Sequence, residues 1–100
     1  MTADYRGDVR ALLRVALGLA RLVVDRRTSA DARVELAKHL FDWLRYCEEQ
    51  TLLWRRWMAT AGTRERETLA GCCACIDRTV LRIRERVLMG DRVRRSGAGS

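Results

Sequence analysis

Residues 29–61 constrain the fold more than any other part of the chain. Their apolar side chains recur at alternating steps of four and three residues, with Thr51 filling the one gap. The recurring residues are Leu36, Leu40, Trp43, Cys47, Trp54, Met58 and Ala61. A period near 3.5 is typical of a helix that packs lengthwise on other helices. We therefore predict one long helix over residues 29–61, ended by Gly62 because glycine adopts the left-handed conformation at low cost.

Two further helices flank this one. An apolar run at residues 9–24 follows Asp8, a residue type that caps helix starts, and predicts a first helix at about residues 8–26. A second seam with four–three steps predicts a third helix at about residues 64–93. Its members are Leu69, Cys73, Ile76, Val80, Ile83, Val87 and Gly90.

The turns between these helices are short, which favours an all-α, antiparallel three-helix bundle with one short and two long helices. The composition agrees, because the chain has no proline and only 6% aromatic residues, and it lacks alternating β-branched runs. We predict a single helical domain over residues 1–95. Residues 96–100 have the sequence Ser-Gly-Ala-Gly-Ser, which predicts a flexible Gly/Ser tail.

The helix lengths predict that one chain alone leaves apolar surface open. At about 1.5 Å per residue, the first helix spans roughly 30 Å and each of the others roughly 45–50 Å. The first helix then covers only half of the hairpin formed by the other two, and an open apolar patch marks an interaction site. We expect oligomerisation or a protein partner to complete the bundle at the far end. The predicted interface residues there are Trp54, Trp57, Met58 and Leu69.

The net charge of +7 is unevenly distributed along the chain. Residues 28–61 are neutral, whereas residues 62–100 carry nine arginines against five acidic residues. A GC-rich coding sequence would also enrich arginine, so the distribution is more informative than the number. It supports an alternative function, a nucleic-acid-binding helical dimer that contacts phosphates with the arginines of helix 3. These are Arg78, Arg82, Arg86, Arg92, Arg94 and Arg95.

No motif predicts catalysis, a cofactor or a metal. Cys72 and Cys75 have C-x-x-C spacing, but thiols in a helix seam more often act as small hydrophobic residues. His39 is the only histidine, so the repeated Glu-x-x-His pattern of di-iron bundles is not available. The sequence shows neither a signal peptide nor a transmembrane segment, which predicts a cytoplasmic protein with reduced thiols. We predict a small, basic, non-enzymatic helical protein with an interaction, assembly or regulatory role.

Overall fold

The computed structural model describes the backbone of residues 4–98 and the side chains of residues 4–90. Its elements are three helices, α1 (Tyr5–Val24), α2 (Ala30–Met58) and α3 (Thr63–Ala98), and each contacts the other two. The backbone of residues 4–98 contains no strand. The predicted all-α fold of three packed helices is therefore confirmed. The molecule is elongated, with extents of 57 × 21 × 15 Å.

Helix α1 begins one turn earlier than predicted, because Asp4 and not Asp8 caps it. The Asp4 carboxylate accepts a hydrogen bond of 2.9 Å from the backbone N–H of Gly7. A carboxylate in this position satisfies one of the N–H groups that lack a partner in the first helical turn. The earlier start makes Tyr5 part of the helix and brings its ring to the end of α2.

The first turn is held by side-chain bonds to backbone carbonyls. The Thr28 hydroxyl donates to the carbonyl of Leu22 at 2.7 Å. The Arg33 guanidinium donates to the carbonyls of Asp25 and Thr28 at 3.2 and 3.0 Å. Ser29 caps α2 by accepting from the N–H of residue 32 at 3.2 Å. These bonds satisfy the Leu22 carbonyl near the end of α1, two carbonyls of the turn and one N–H group at the start of α2, and so fix the turn.

The second turn differs from the predicted glycine stop. Gly62 does not have a positive φ, and α2 ends earlier, at Met58. The backbone N–H groups of residues 59–61 each donate to the carbonyl three residues earlier, which tightens the last turn. The Arg66 guanidinium donates to the carbonyls of Met58 and Ala61. The free carbonyls of the helix end are thus satisfied without a left-handed residue.

The core follows the predicted seams of α2 and α3, and α1 contributes mainly small residues to it. The buried residues are Val9, Ala16, Ala20 and Val23 of α1, Leu40, Leu44, Cys47, Thr51 and Trp54 of α2, and Leu69, Cys72, Cys73, Ile76, Val80 and Ile83 of α3. The Thr51 hydroxyl donates to the carbonyl of Glu48 at 2.7 Å, so this buried polar group has a partner. The Trp43 indole N–H also donates to the Leu12 carbonyl at 2.8 Å and joins α2 to α1.

Candidate interaction surfaces

The apolar end of the bundle where α2 is connected to α3 is largely covered by α1. Trp54 is 2% exposed and Leu69 is fully buried, whereas Trp57 is 43% exposed and Met58 is half-buried. The expectation that no helix covers this end is wrong. Helix α1 begins three residues earlier than predicted and α2 ends three residues earlier. Together these two changes extend α1 by about 9 Å relative to the end of α2. Trp54 and Leu69 are core residues of the single chain, and Trp57 and Met58 remain at its surface.

Tyr5 is the residue that closes this end. Its ring centroid lies 5.5 Å from that of Trp54, edge to face, and 6.4 Å from that of Trp57. Its hydroxyl donates to a carboxylate oxygen of Glu65 at 2.7 Å. This hydrogen bond raises the pKa of Tyr5, because the neutral hydroxyl is the form that donates. One side chain of α1 therefore contacts both of the other helices.

A second apolar surface, on the outer side of α2 and α3, was not predicted from the sequence. We define the α2–α3 face by five large side chains that are 41–58% exposed: Val34, Phe41, Leu52, Leu81 and Leu88. Three of them, Val34, Phe41 and Leu88, line a groove of about 240 Å³ whose other walls are almost entirely aliphatic. Leu81 lies two helical turns before Leu88, and so shares its side of α3.

Two ion pairs cross the middle of the α2–α3 face. Arg55 of α2 pairs with Asp77 of α3, and Glu48 of α2 pairs with Arg84 of α3. Each pair has one positive and one negative member, so the charges on this part of the surface cancel. Exposed ion pairs of this kind contribute little to stability, and their main consequence here is that these four charged side chains add no net charge to the face.

The arginines gather on the other side of α3, facing α1. Two grooves, of about 330 and 300 Å³, lie between these helices, one near each end of α1. We call them together the basic groove. The charged residues that line it are Arg6, Arg10 and Arg21 of α1 and Glu67, Arg82 and Arg86 of α3. None of these five arginines forms an ion pair with a carboxylate among the described side chains.

The basic groove includes only part of the arginine set predicted from helix 3. Arg82 and Arg86 line it, whereas Arg78 is exposed outside its walls. The predicted contacts Arg92, Arg94 and Arg95 lie outside the described side chains. The three arginines of α1 were missed, because sequence periodicity shows that they share a polar stripe but not which helix that stripe faces.

Three of the four cysteines are buried, as predicted for thiols in helix seams, and Cys75 is not. Cys47, Cys72 and Cys73 are buried, and burial raises the pKa of each thiol because the thiolate loses hydration. Cys75 is half-buried and lines the basic groove. Over the described residues, no group of three or more histidine, cysteine or acidic side chains is placed to hold a metal. His39 is exposed on α2.

Over the described residues, no helix combines the length and the apolar character needed to cross a membrane. Compared with known proteins, the chain matches no family model, no curated protein and no solved structure.

Proposed function

We propose that this protein is a small, non-enzymatic helical interaction protein that acts in assembly or regulation as a homodimer. The α2–α3 face is the proposed interface, in preference to the hairpin end predicted from the sequence. The observation that carries the proposal is the coincidence on one surface of five exposed large apolar side chains and two cancelling ion pairs. An exposed apolar surface that is also neutral favours contact with another protein surface.

The size of the α2–α3 face supports an interface. Its apolar residues extend along α2 from Val34 to Leu52, which corresponds to about 27 Å of helix. Two adjacent helices present a surface roughly 20 Å wide, so the projected area is roughly 500 Å². The accessible area of an uneven surface exceeds its projection, and this brings the face towards the ~800 Å² per partner of standard interfaces.

The charge distribution supports a second copy as the occupant. Two chains of net charge +7 repel each other through their basic surfaces. The α2–α3 face, where Arg55 and Arg84 are neutralised by Asp77 and Glu48, is the side on which that repulsion is weakest. A twofold interface through this face leaves the basic groove of each copy on the outside of the dimer.

The shape of the face also fits a twofold interface. Such an interface brings the same patch of both subunits together, so the patch must complement itself. The α2–α3 face has both a groove of about 240 Å³ and exposed side chains such as Leu81, at 58% exposure, that could enter a partner's groove. A surface with only protrusions or only a groove would not pair with its own copy in this way.

The proposal includes the antiparallel arrangement of the helices and a cytoplasmic location. Contacts between Tyr5 and Trp54 at one end, and a groove shared by Val24 and Val34 at the other, support the antiparallel arrangement of α1 and α2. Four free cysteines, three of them buried, support a reducing compartment.

Sedimentation equilibrium of the wild type and of Leu81→Glu tests the proposed interface. We expect twice the mass of one chain for the wild type and the mass of one chain for the variant, because a buried carboxylate without a partner opposes association. Leucine and glutamate have similar helix propensities and Leu81 is exposed, so the fold should be retained, as circular dichroism would verify.

Two matched variants locate the interface. Leu22→Glu replaces a leucine of 48% exposure on α1, away from the α2–α3 face, and should remain dimeric. Trp57→Glu tests the hairpin end and should also remain dimeric. A wild type that is monomeric at all concentrations would contradict the proposal. Dissociation by Trp57→Glu but not by Leu81→Glu would place the interface at the hairpin end.

A further inference from the structure

We propose that the basic groove between α1 and α3 binds the phosphate backbone of a nucleic-acid duplex. The inference goes beyond the proposed dimer and does not depend on it, because none of the five arginines of the basic groove belongs to the α2–α3 face. The contacts predicted from the sequence lie on helix 3 alone, whereas the basic groove is formed by both α1 and α3. The ligand is recognised by its regularly spaced negative charges and not by its base sequence.

The groove has the charge pattern of a polyanion site. Five arginines and one glutamate line it, which gives a local net charge of +4 over its sixteen lining residues. All five arginine side chains are exposed, and none is held by a described carboxylate. Elsewhere on the bundle, Arg33 and Arg66 are bonded to turn carbonyls and Arg55 and Arg84 are in ion pairs. Five of the arginines without such a bond line the basic groove, and six others lie outside it: Arg14, Arg26, Arg45, Arg56, Arg64 and Arg78.

Arginines stand on both walls in the larger of the two grooves, where Arg21 of α1 faces Arg82 and Arg86 of α3. In the smaller groove, Arg6 and Arg10 of α1 face a wall of α3 whose one charged residue is Glu67. Arg6 and Arg10 are one helical turn apart, as are Arg82 and Arg86, so the Cβ atoms of each pair are about 6 Å apart. A phosphate in the larger groove could therefore lie between cations of both helices.

The length of the groove matches a short run of phosphates. From residue 6 to residue 21, α1 extends about 22 Å. A duplex carries one phosphate charge per ~1.7 Å of helix axis, so a length of about 22 Å presents several phosphates to the arginines of the groove.

The lining residues favour a duplex over a single strand. Proteins that hold single strands stack exposed bases on aromatic side chains. No residue that lines the basic groove is aromatic; the uncharged ones are aliphatic, threonine, glycine or cysteine. In a duplex the bases are already stacked and only the phosphates need partners. A flat anionic membrane would reach the rims of the groove but not both inner walls at once.

Fluorescence anisotropy with a labelled duplex of about 20 base pairs tests the proposal, over salt from about 50 to about 200 mM. For the wild type we expect a log–log salt slope of about −4, from four to five phosphate contacts at about 0.9 each. Arg82→Gln with Arg86→Gln should weaken binding roughly 100-fold at about 0.1 M salt and reduce the slope by about 2. Arg10→Gln with Arg21→Gln should do the same, because the site has two walls.

The matched control removes the same net charge from another surface. Arg45→Gln with Arg56→Gln changes two exposed arginines of α2, outside the groove, and should leave affinity and slope near those of the wild type. An equal loss in this control would overturn the proposal in favour of general attraction by net charge. An effect of the α3 pair without an effect of the α1 pair would overturn the two-walled site.

Two further probes separate other anionic ligands from a duplex. The same variants are tested with a single strand of the same sequence and with vesicles of phosphatidylcholine and phosphatidylserine. Tighter binding of the single strand than of the duplex would overturn the preference argued from the lining. Binding to the vesicles but not to the duplex would make the groove a lipid headgroup site and overturn nucleic acid as the ligand.

Discussion

The four cysteines show how the surroundings of a residue decide its chemistry. Cys73 is buried in the seam of α3, and its thiol donates to the carbonyl of Thr51 at 3.7 Å. Cys47 and Cys72 are also buried, and for all three the loss of hydration raises the thiol pKa. Since the thiolate is the reactive form, these residues should be chemically inert. Cys75, one turn from Cys72, is half-buried and opens onto the basic groove.

The thiols should therefore react at different rates with a thiol-specific reagent. At about pH 8, below the ordinary thiol pKa of about 8.5, we expect one fast phase from Cys75 and slower phases from the three buried thiols. Cys75→Ser should remove the fast phase and leave the slow phases unchanged. The measurement is the absorbance of the released reagent over time under native conditions. Two or more thiols in the fast phase would contradict the burial of this seam.

At the scale of the helices, the two tryptophans near the end of α2 have different roles. Trp54 is 2% exposed and lies edge to face with Tyr5. It therefore contributes to the packing of α1 against α2. Trp57, one turn later, is 43% exposed, and its ring centroid lies 6.4 Å from that of the same tyrosine. The difference arises because α1 begins at Tyr5 and does not extend past the turn of α2 that holds Trp57.

This difference predicts unequal losses of stability on truncation to alanine. Trp54→Ala should lower the free energy of unfolding by about 3–5 kcal/mol, the range for a buried large aromatic residue. Trp57→Ala should lower it by less than half as much, because much of its ring is already in water. Urea unfolding followed by circular dichroism measures both at one protein concentration. Equal losses, or a larger loss at Trp57, would show that α1 does not cover this end.

At the scale of the whole molecule, the two proposed binding surfaces use different parts of α3. One side of α3 carries the neutral α2–α3 face and the other carries the basic groove. A dimer through the first would hold two basic grooves in a fixed relation to each other. Two linked sites on one duplex would bind more tightly than either site alone, provided that their spacing allows both to engage.

Dimerisation should couple the stability of the fold to protein concentration. Because association stabilises only the folded chain, the melting temperature of the wild type should rise as concentration increases. Leu81→Glu should melt at a temperature independent of concentration, since the monomer is its folded form. Thermal melts by circular dichroism over a wide range of concentrations measure both. A wild-type melting temperature that does not change with concentration would contradict the homodimer.

The sequence alone determined the helices and their buried seams. The four–three spacing from Leu36 to Met58, and again from Leu69 to Val87, reports a local period that a helix imposes on any core-facing side chains. The sequence did not determine where the helices begin and end. Asp4 and Asp8 are both suitable caps, and only the structure shows that Asp4 is used. Periodicity likewise gave no signal that Arg66 would donate to the Met58 carbonyl at the end of α2, where a left-handed Gly62 was predicted.

Only the tertiary structure decided which surfaces exist. A one-turn change at the start of α1 buries Trp54 beneath Tyr5 and closes the end that the sequence left open. The rotation of α1 about its own axis brings Arg21 to Arg82 and Arg86, residues more than sixty positions away. Both outcomes depend on how one helix is set against another. That setting comes from the summed packing of the whole core, which no local pattern of residues encodes.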